Sequence, residues 1–131
     1  MLFSLSGKVA IITGANQGFG LEISRKYVNA GASIVMCARN ADLLAMAHRE
    51  LASGLAPGQI IDVVSADVSD SQSVRQLAKN TLQRFGRIDI LVNNAGIYGP
   101  MGPIEVVDWA QWLRAIEINL FGSILMCRAV L

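Results

Sequence analysis

The chain has 131 residues, one domain's length or part of a larger one, and is 53% hydrophobic with only 16% charged residues. A formal net charge of +1, with no run of Lys or Arg, excludes a nucleic-acid-binding tract. No apolar stretch approaches the ~18 residues a membrane span needs, and Met1 to Lys8 lacks the basic region and small-residue cleavage site of a signal peptide.

Short β-branched runs alternate with amphipathic segments. Lys8 to Thr13 reads as a first strand. A helix follows over Gly18 to Asn29, with Leu21, Ser24, Tyr27 and Val28 at helical spacing, and Ala30-Gly31-Ala32 ends it. Ser33 to Cys37 is a second strand. Asn40 can cap a second helix carrying Leu43, Leu44, Ala47 and Leu51. Pro57-Gly58 is a turn and Ile60 to Ala66 a third strand. Ser69 to Gln72 has the pattern of a capping box, and its helix carries Val74, Leu77, Ala78, Leu82 and Phe85 as far as Gly86. Ile88 to Asn93, almost wholly apolar, is a fourth strand of the kind covered on both faces. After the glycine- and proline-rich loop Gly96 to Pro103, Asp108 can cap a last helix running from Trp109 towards Leu131.

Four strands alternating with four helices give successive βαβ units. The expected fold is α/β, a doubly wound parallel sheet (Rossmann fold) in one domain over 1–131, without repeats or internal linkers. Cys37 falls in a buried strand and Cys127 in an apolar helix. Both read as small core hydrophobes in a reducing cytoplasm rather than as a disulfide. His48, the single histidine, reads as a surface residue, and no metal-ligand cluster exists.

The chemistry is carried by Thr13-Gly14-Ala15-Asn16-Gln17-Gly18-Phe19-Gly20, between the first strand and first helix. A glycine-rich turn there presents backbone N–H groups and the positive helix end to a nucleotide pyrophosphate. Asp67-Val68 follows the third strand, Asn93-Asn94-Ala95-Gly96 follows the fourth, and Asn119-Leu120 lies in the last helix. These motifs, in this order, resemble the short-chain dehydrogenase/reductase family over the whole chain.

The resemblance implies roles residue by residue. Gly14, Gly18 and Gly20, with Asn16 in the same turn, would receive the pyrophosphate and adenosine ribose, and Phe19 would shield the cofactor. Asp67, with Val68 beside it, would accept a hydrogen bond from the adenine amino group. Asn94, Ala95 and Gly96 would support the fourth strand and line the nicotinamide-side ribose. Asn119 would be the active-site asparagine, kinking its helix and holding a water in a proton relay. Blander readings stand beside these. Gly18 and Gly20 can simply allow close helix–sheet packing, Asp67 can be a cap or turn residue, Asn94 can satisfy backbone groups, and Asn119 can be a helix-interior polar residue.

The end of the second strand bears on the cofactor. An NAD site usually places Asp or Glu there, about 20 residues beyond the glycines. Here the acid's place holds Ala38, followed by Arg39, whose guanidinium can grip a 2′-phosphate and stack on adenine. This favours NADP, with NAD the alternative and a solvated arginine the plain reading. The residue before the second motif glycine, often basic in NADP-preferring relatives, is Gln17.

The family's tyrosine, whose pKa a lysine lowers in Tyr-x-x-x-Lys, is not found. Tyr27 is followed at that spacing by Gly31 and Tyr98 by Gly102. The expectation is therefore the cofactor-binding half of a dehydrogenase, truncated after the fourth strand and its helix. By itself it would not turn over NADPH. On this reading the fourth strand would be a sheet edge. The apolar segment Ile116 to Leu131 would be an ordinary core helix or, as the resemblance implies, the site of a second subunit in a homo-oligomer. The substrate would be a small carbonyl or alcohol. The alternatives are a non-catalytic dinucleotide-binding module or another doubly wound domain such as a methyltransferase, against which Asn93 to Gly96 and Asn119 argue.

Overall fold

A computed structural model of the chain describes residues 3–131. In chain order the elements are β1 (Val9–Thr13), α1 (Gly18–Asn29), β2 (Ser33–Ala38), α2 (Ala41–Ala52), β3 (Ile61–Ser65), α3 (Ser71–Phe85), β4 (Ile90–Val92), α4 (Trp109–Ile116), a π-helical turn (Glu117–Phe121) and α5 (Gly122–Val130). The four strands form one sheet in the order β3-β2-β1-β4. All pairs are parallel, with Ile11 facing Val35 on one side and Leu91 on the other.

Strand periodicity builds the two faces. Ala10 and Ile12 of β1, with Ile34 and Met36 of β2, point to the side where Val28 of α1 and Leu44, Ala47 and Leu51 of α2 pack. Ile11, Val35 and Cys37 point the other way, onto Val74 and Leu77 of α3, Ile118 and Met126. Every residue of β1 is buried, which is why its sequence is continuously apolar rather than alternating. No helix among the described residues is long and apolar enough to cross a membrane.

Local signals held at several joints. Asn40 Oδ1 accepts from Leu43 N at 3.0 Å and Asp108 Oδ1 from Gln111 N at 2.8 Å. Gly86 ends α3 in the left-handed region, φ 74°, where a glycine carries no Cβ penalty.

Other expectations are corrected. The cap of α3 is Asp70, which accepts from Gln72 N and Ser73 N, and Ser69 instead binds Asp67. Leu82 is 48% exposed while Thr81 is buried, because Thr81 follows the stripe of Val74 and Leu77 and its hydroxyl donates to Leu77 O at 2.8 Å. β4 is only half-buried rather than covered on both faces, whereas its place at a sheet edge is as expected. Cys127 is exposed. His48 is half-buried, its Nε2 3.2 Å from the Ile61 carbonyl oxygen. The last helix is α4 and α5 joined by the π turn that contains Asn119.

Candidate functional site

The C-terminal ends of all four strands open into one cleft of about 740 Å³. Gly14, Asn16 and Phe19 line it after β1, and Ala38 and Arg39 at the end of β2. Ala66, Asp67 and Val68 line it after β3, and Asn94, Ala95 and Gly96 after β4. A cleft outside the carboxyl ends of the strands, beside the β1–α1 turn, is where doubly wound sheets bind ligands.

The three glycines of the turn differ in what they do. Gly14 has φ 61°, and a Cβ there would lie 2.9 Å from Ala95 Cα. Gly20 is buried against the Gly14 carbonyl oxygen and Asn94 Nδ2, so a Cβ would collide with both. Gly18 has φ 56° with open space around it. Gly14 and Gly20 thus bring turn, helix and β4 loop into contact, while Gly18 supplies a backbone conformation that L side chains resist.

The start of α1 differs from every other helix start that leaves a strand. Asn40, Asp70 and Asp108 cap α2, α3 and α4 with side-chain oxygens. At α1 the cap residue is Gln17, whose side chain makes no such bond. The first helical amide bonded back is Leu21, to Gln17 O at 3.3 Å. The amides of Gly18 to Gly20 precede it and lack intrahelical acceptors by helix geometry. This uncapped, positive helix end suits an anion.

The wall after β4 is pinned by three side chains. Thr13 Oγ1 accepts from the amides of Asn94 and Ala95, both at 3.0 Å, and Asn94 Nδ2 donates to Gly14 O at 3.0 Å. Asn119 Oδ1 accepts from Ile97 N and its Nδ2 donates to Ile97 O, each at 2.8 Å. A Cβ on Gly96 would lie 3.1 Å from Asn119 Oδ1. The Asn119 amide therefore pairs with Ile97 as a strand neighbour would.

At the other end of the cleft, Arg39 is exposed and its side chain makes no ion pair or hydrogen bond among the described residues, while Ser65 Oγ donates to its carbonyl oxygen at 2.9 Å. Asp67 is heavily engaged. Its Oδ1 accepts from Ser69 N at 2.9 Å and Ser69 Oγ at 2.7 Å, and its Oδ2 pairs with Arg114 Nη2 at 3.1 Å. Partial burial raises the Asp67 pKa, but the Ser69 and Arg114 hydrogen bonds outweigh it and hold the carboxyl below the usual value. Cys37 lies beneath, its thiol pushed up to about 12 by burial and then by the Asp67 charge.

The model of the short chain dehydrogenase family matches residues 8–131. The chain belongs to that family. This short-chain dehydrogenase chain is 36% identical over 123 residues to 1-deoxy-11-beta-hydroxypentalenate dehydrogenase of Streptomyces arenae, covering 93% of this chain and 43% of that enzyme. Among solved structures, a metagenomic short-chain oxidoreductase in complex with NADP superposes with a TM-score of 0.88 at 37% identity, covering 95% of this chain and 55% of that one. An NAD+-bound xylitol dehydrogenase superposes with a TM-score of 0.89 at 27% identity, covering 95% of this chain and 47% of that one. The chain thus spans about half the length of these relatives.

Of the residues singled out in the sequence, Gly14, Asn16, Phe19, Arg39, Asp67, Val68, Asn94, Ala95 and Gly96 line the cleft. Gly18 and Gly20 do not; they shape the turn behind it. Asn119 is not a wall residue either, although its neighbour Ile118 is. Thr13, Ser69 and Arg114 were not anticipated. A threonine closing an apolar strand beside a glycine turn was a readable signal for the first, but the other two meet Asp67 only through the tertiary fold.

Proposed function

We propose that the cleft binds NADP and that the whole protein is an NADP-dependent oxidoreductase, exchanging hydride between nicotinamide and a small carbonyl or alcohol substrate. The observation that carries this is the uncapped start of α1 at the cleft floor, in a chain where the other helices leaving strands are capped. Gly14 and Asn16 would receive the pyrophosphate, with Gly18 and Gly20 holding the turn in the shape that presents its amides, and Phe19, 75% exposed at the rim, would cover it. Asp67 and Val68 would meet the adenine. Asn94, Ala95 and Gly96 would line the nicotinamide-side ribose. Nicotinamide, when bound, supplies the hydride chemistry. Asn119 belongs to this reading through its backbone: its amide side chain anchors Ile97, leaving the π turn to present main-chain groups near the reacting end.

NADP is favoured over NAD by residues rather than by fold, since solved relatives of both kinds superpose equally well. Ala38 offers no carboxylate to a ribose 2′-hydroxyl, and Arg39 is a guanidinium at the cleft without a protein partner among the described residues. The test is Arg39→Ala with both cofactors titrated. NADPH affinity should fall by about 1.5–3 kcal/mol, the range for a hydrogen bond to a charged group, with NADH nearly unchanged. An unaltered preference would sink the assignment. The 131 residues contain no Tyr-x-x-x-Lys, so turnover is proposed for the whole protein. A homo-oligomer built on the apolar surface of Leu120, Phe121 and Ile124, each about half exposed, and a cytoplasmic location belong to the same reading. A non-catalytic dinucleotide-binding module would share the cleft and lack the turnover.

A further inference from the structure

The Asp67 carboxylate has about four lone-pair positions, and three are filled by the protein. Oδ1 takes both Ser69 donors, and Oδ2 takes Arg114 Nη2. The polarity of this network is fixed. Arg114 has no acceptor, and its Nη1 donates to Ser69 Oγ at 2.8 Å. The single hydroxyl proton of Ser69 is thereby directed to Asp67. Glu117 Oε2, 3.2 Å from the same Nη1, braces the guanidinium from the far side. The charged groups facing Asp67 are Arg114 of α4, with Glu117 of the π turn behind it. From β2 comes only the neutral Cys37 thiol.

We propose that Arg114 is a positioning residue for base recognition: with Ser69 it fixes the orientation of the Asp67 carboxylate, so that its one open position, on Oδ2, faces the base and selects a purine with an exocyclic amino group over its 6-oxo counterpart. The proposal rests on the reading of the cleft as a dinucleotide site with Asp67 at its adenine end. A carboxylic acid could donate to a 6-oxo base, whereas a carboxylate cannot. A 6-oxo oxygen placed at that position would face a second acceptor with no proton between them, and such mismatches discriminate strongly.

The experiment is a titration of the full-length protein with NADPH and with its hypoxanthine analogue, reduced nicotinamide hypoxanthine dinucleotide phosphate, for wild type, Arg114→Gln and Ser69→Ala. The wild type should prefer NADPH by roughly 10- to 100-fold. Arg114→Gln should bring that ratio below about threefold. Ser69→Ala, which keeps the Arg114 pair and removes only the hydroxyl donor, should lower it by less. A merely structural role for Arg114 would weaken both nucleotides together and leave the ratio unchanged, and that result overturns the proposal. Should Arg114→Gln not fold, an unchanged ratio in Ser69→Ala overturns it alone. A wild type that binds NADPH without preference removes the adenine role of Asp67 instead, and one that binds neither nucleotide removes the dinucleotide reading of the cleft.

Discussion

The stretch from β1 to α2 and the stretch from β4 to α4 are written in the same alternating pattern yet are packed very differently, with α3 between them burying Val74, Leu77, Ala78 and Thr81. From β1 to α2 every strand residue is buried or nearly so, and each helix packs into one cluster: Val28 with the partly buried Leu21, Ile23 and Tyr27 from α1, Leu44, Ala47 and Leu51 from α2. In the later stretch, β4 is half-buried throughout and α4 has no buried residue. Trp109 and Trp112 stack on each other, ring centroids 5.2 Å apart, with Trp109 61% exposed. Apolar sequence shows which face a segment can bury; burial itself needs a neighbour, and β4 pairs with β1 alone.

The largest expected difference between the two stretches lies in the strands. Ile12 of β1 is fully buried in the first cluster, whereas Leu91 of β4, on the same sheet, is half-buried. Ile12→Ala should cost about 2–5 kcal/mol by lost transfer and the cavity left behind. Leu91→Ala should cost roughly half as much. Urea unfolding of both variants measures this, and equal losses would mean that β4 is held as firmly as the central strands.

The next effect tests the seam joining the two stretches. Gly20 of α1 touches Asn94 of the β4 loop and the Gly14 carbonyl oxygen, and an added methyl would lie 2.5 Å from Asn94 Nδ2. Neither the carbonyl nor the amide can retreat freely, because Asn94 Nδ2 is bonded to that same oxygen. Gly20→Ala should therefore destabilise by about 1–3 kcal/mol as overpacking and weaken NADPH more than a change of equal stability cost elsewhere. A thermal melt and an NADPH titration on the same sample separate the two. Unimpaired binding would mean that the turn tolerates being pushed off the β4 loop.

How much of this was legible follows the same division. The strand–turn–helix with its glycines, the caps at Asn40 and Asp108 and the stop at Gly86 depend on residues close in sequence, and they were readable. Ser69 and Asp70 are both good caps, and local pattern could not show that Ser69 was already committed to Asp67. Thr81 and Leu82 both fit a helical stripe; the hydroxyl bond of Thr81 to Leu77 O removes the cost of burying it, a saving that hydrophobicity patterns miss. The exposure of Cys127 and the half-burial of β4 depend on which surfaces surround them. In the site, the residues of contiguous motifs were named from sequence. Arg114, which meets Asp67 only because α4 crosses over the β3–α3 loop, carried no motif.

The smallest effect compares two caps with the same chemistry in unlike surroundings. Asn40 and Asp108 each accept one amide, from Leu43 and Gln111, at similar distances, and removing such a cap typically costs ~1 kcal/mol. α2 is locked by three buried side chains, so fraying its first turn disturbs the core, and Asn40→Ala should lower global stability by about that amount. α4 buries none of its own residues. Its opening is local, and sub-global opening need not register in global unfolding. Asp108→Ala should leave the denaturation midpoint within about 0.5 kcal/mol of wild type while speeding hydrogen exchange at the Gln111 amide. A full global loss in Asp108→Ala would mean that α4 unfolds with the core despite its exposure, with the Arg114 bonds to Asp67 and Ser69 as the physical tie between them.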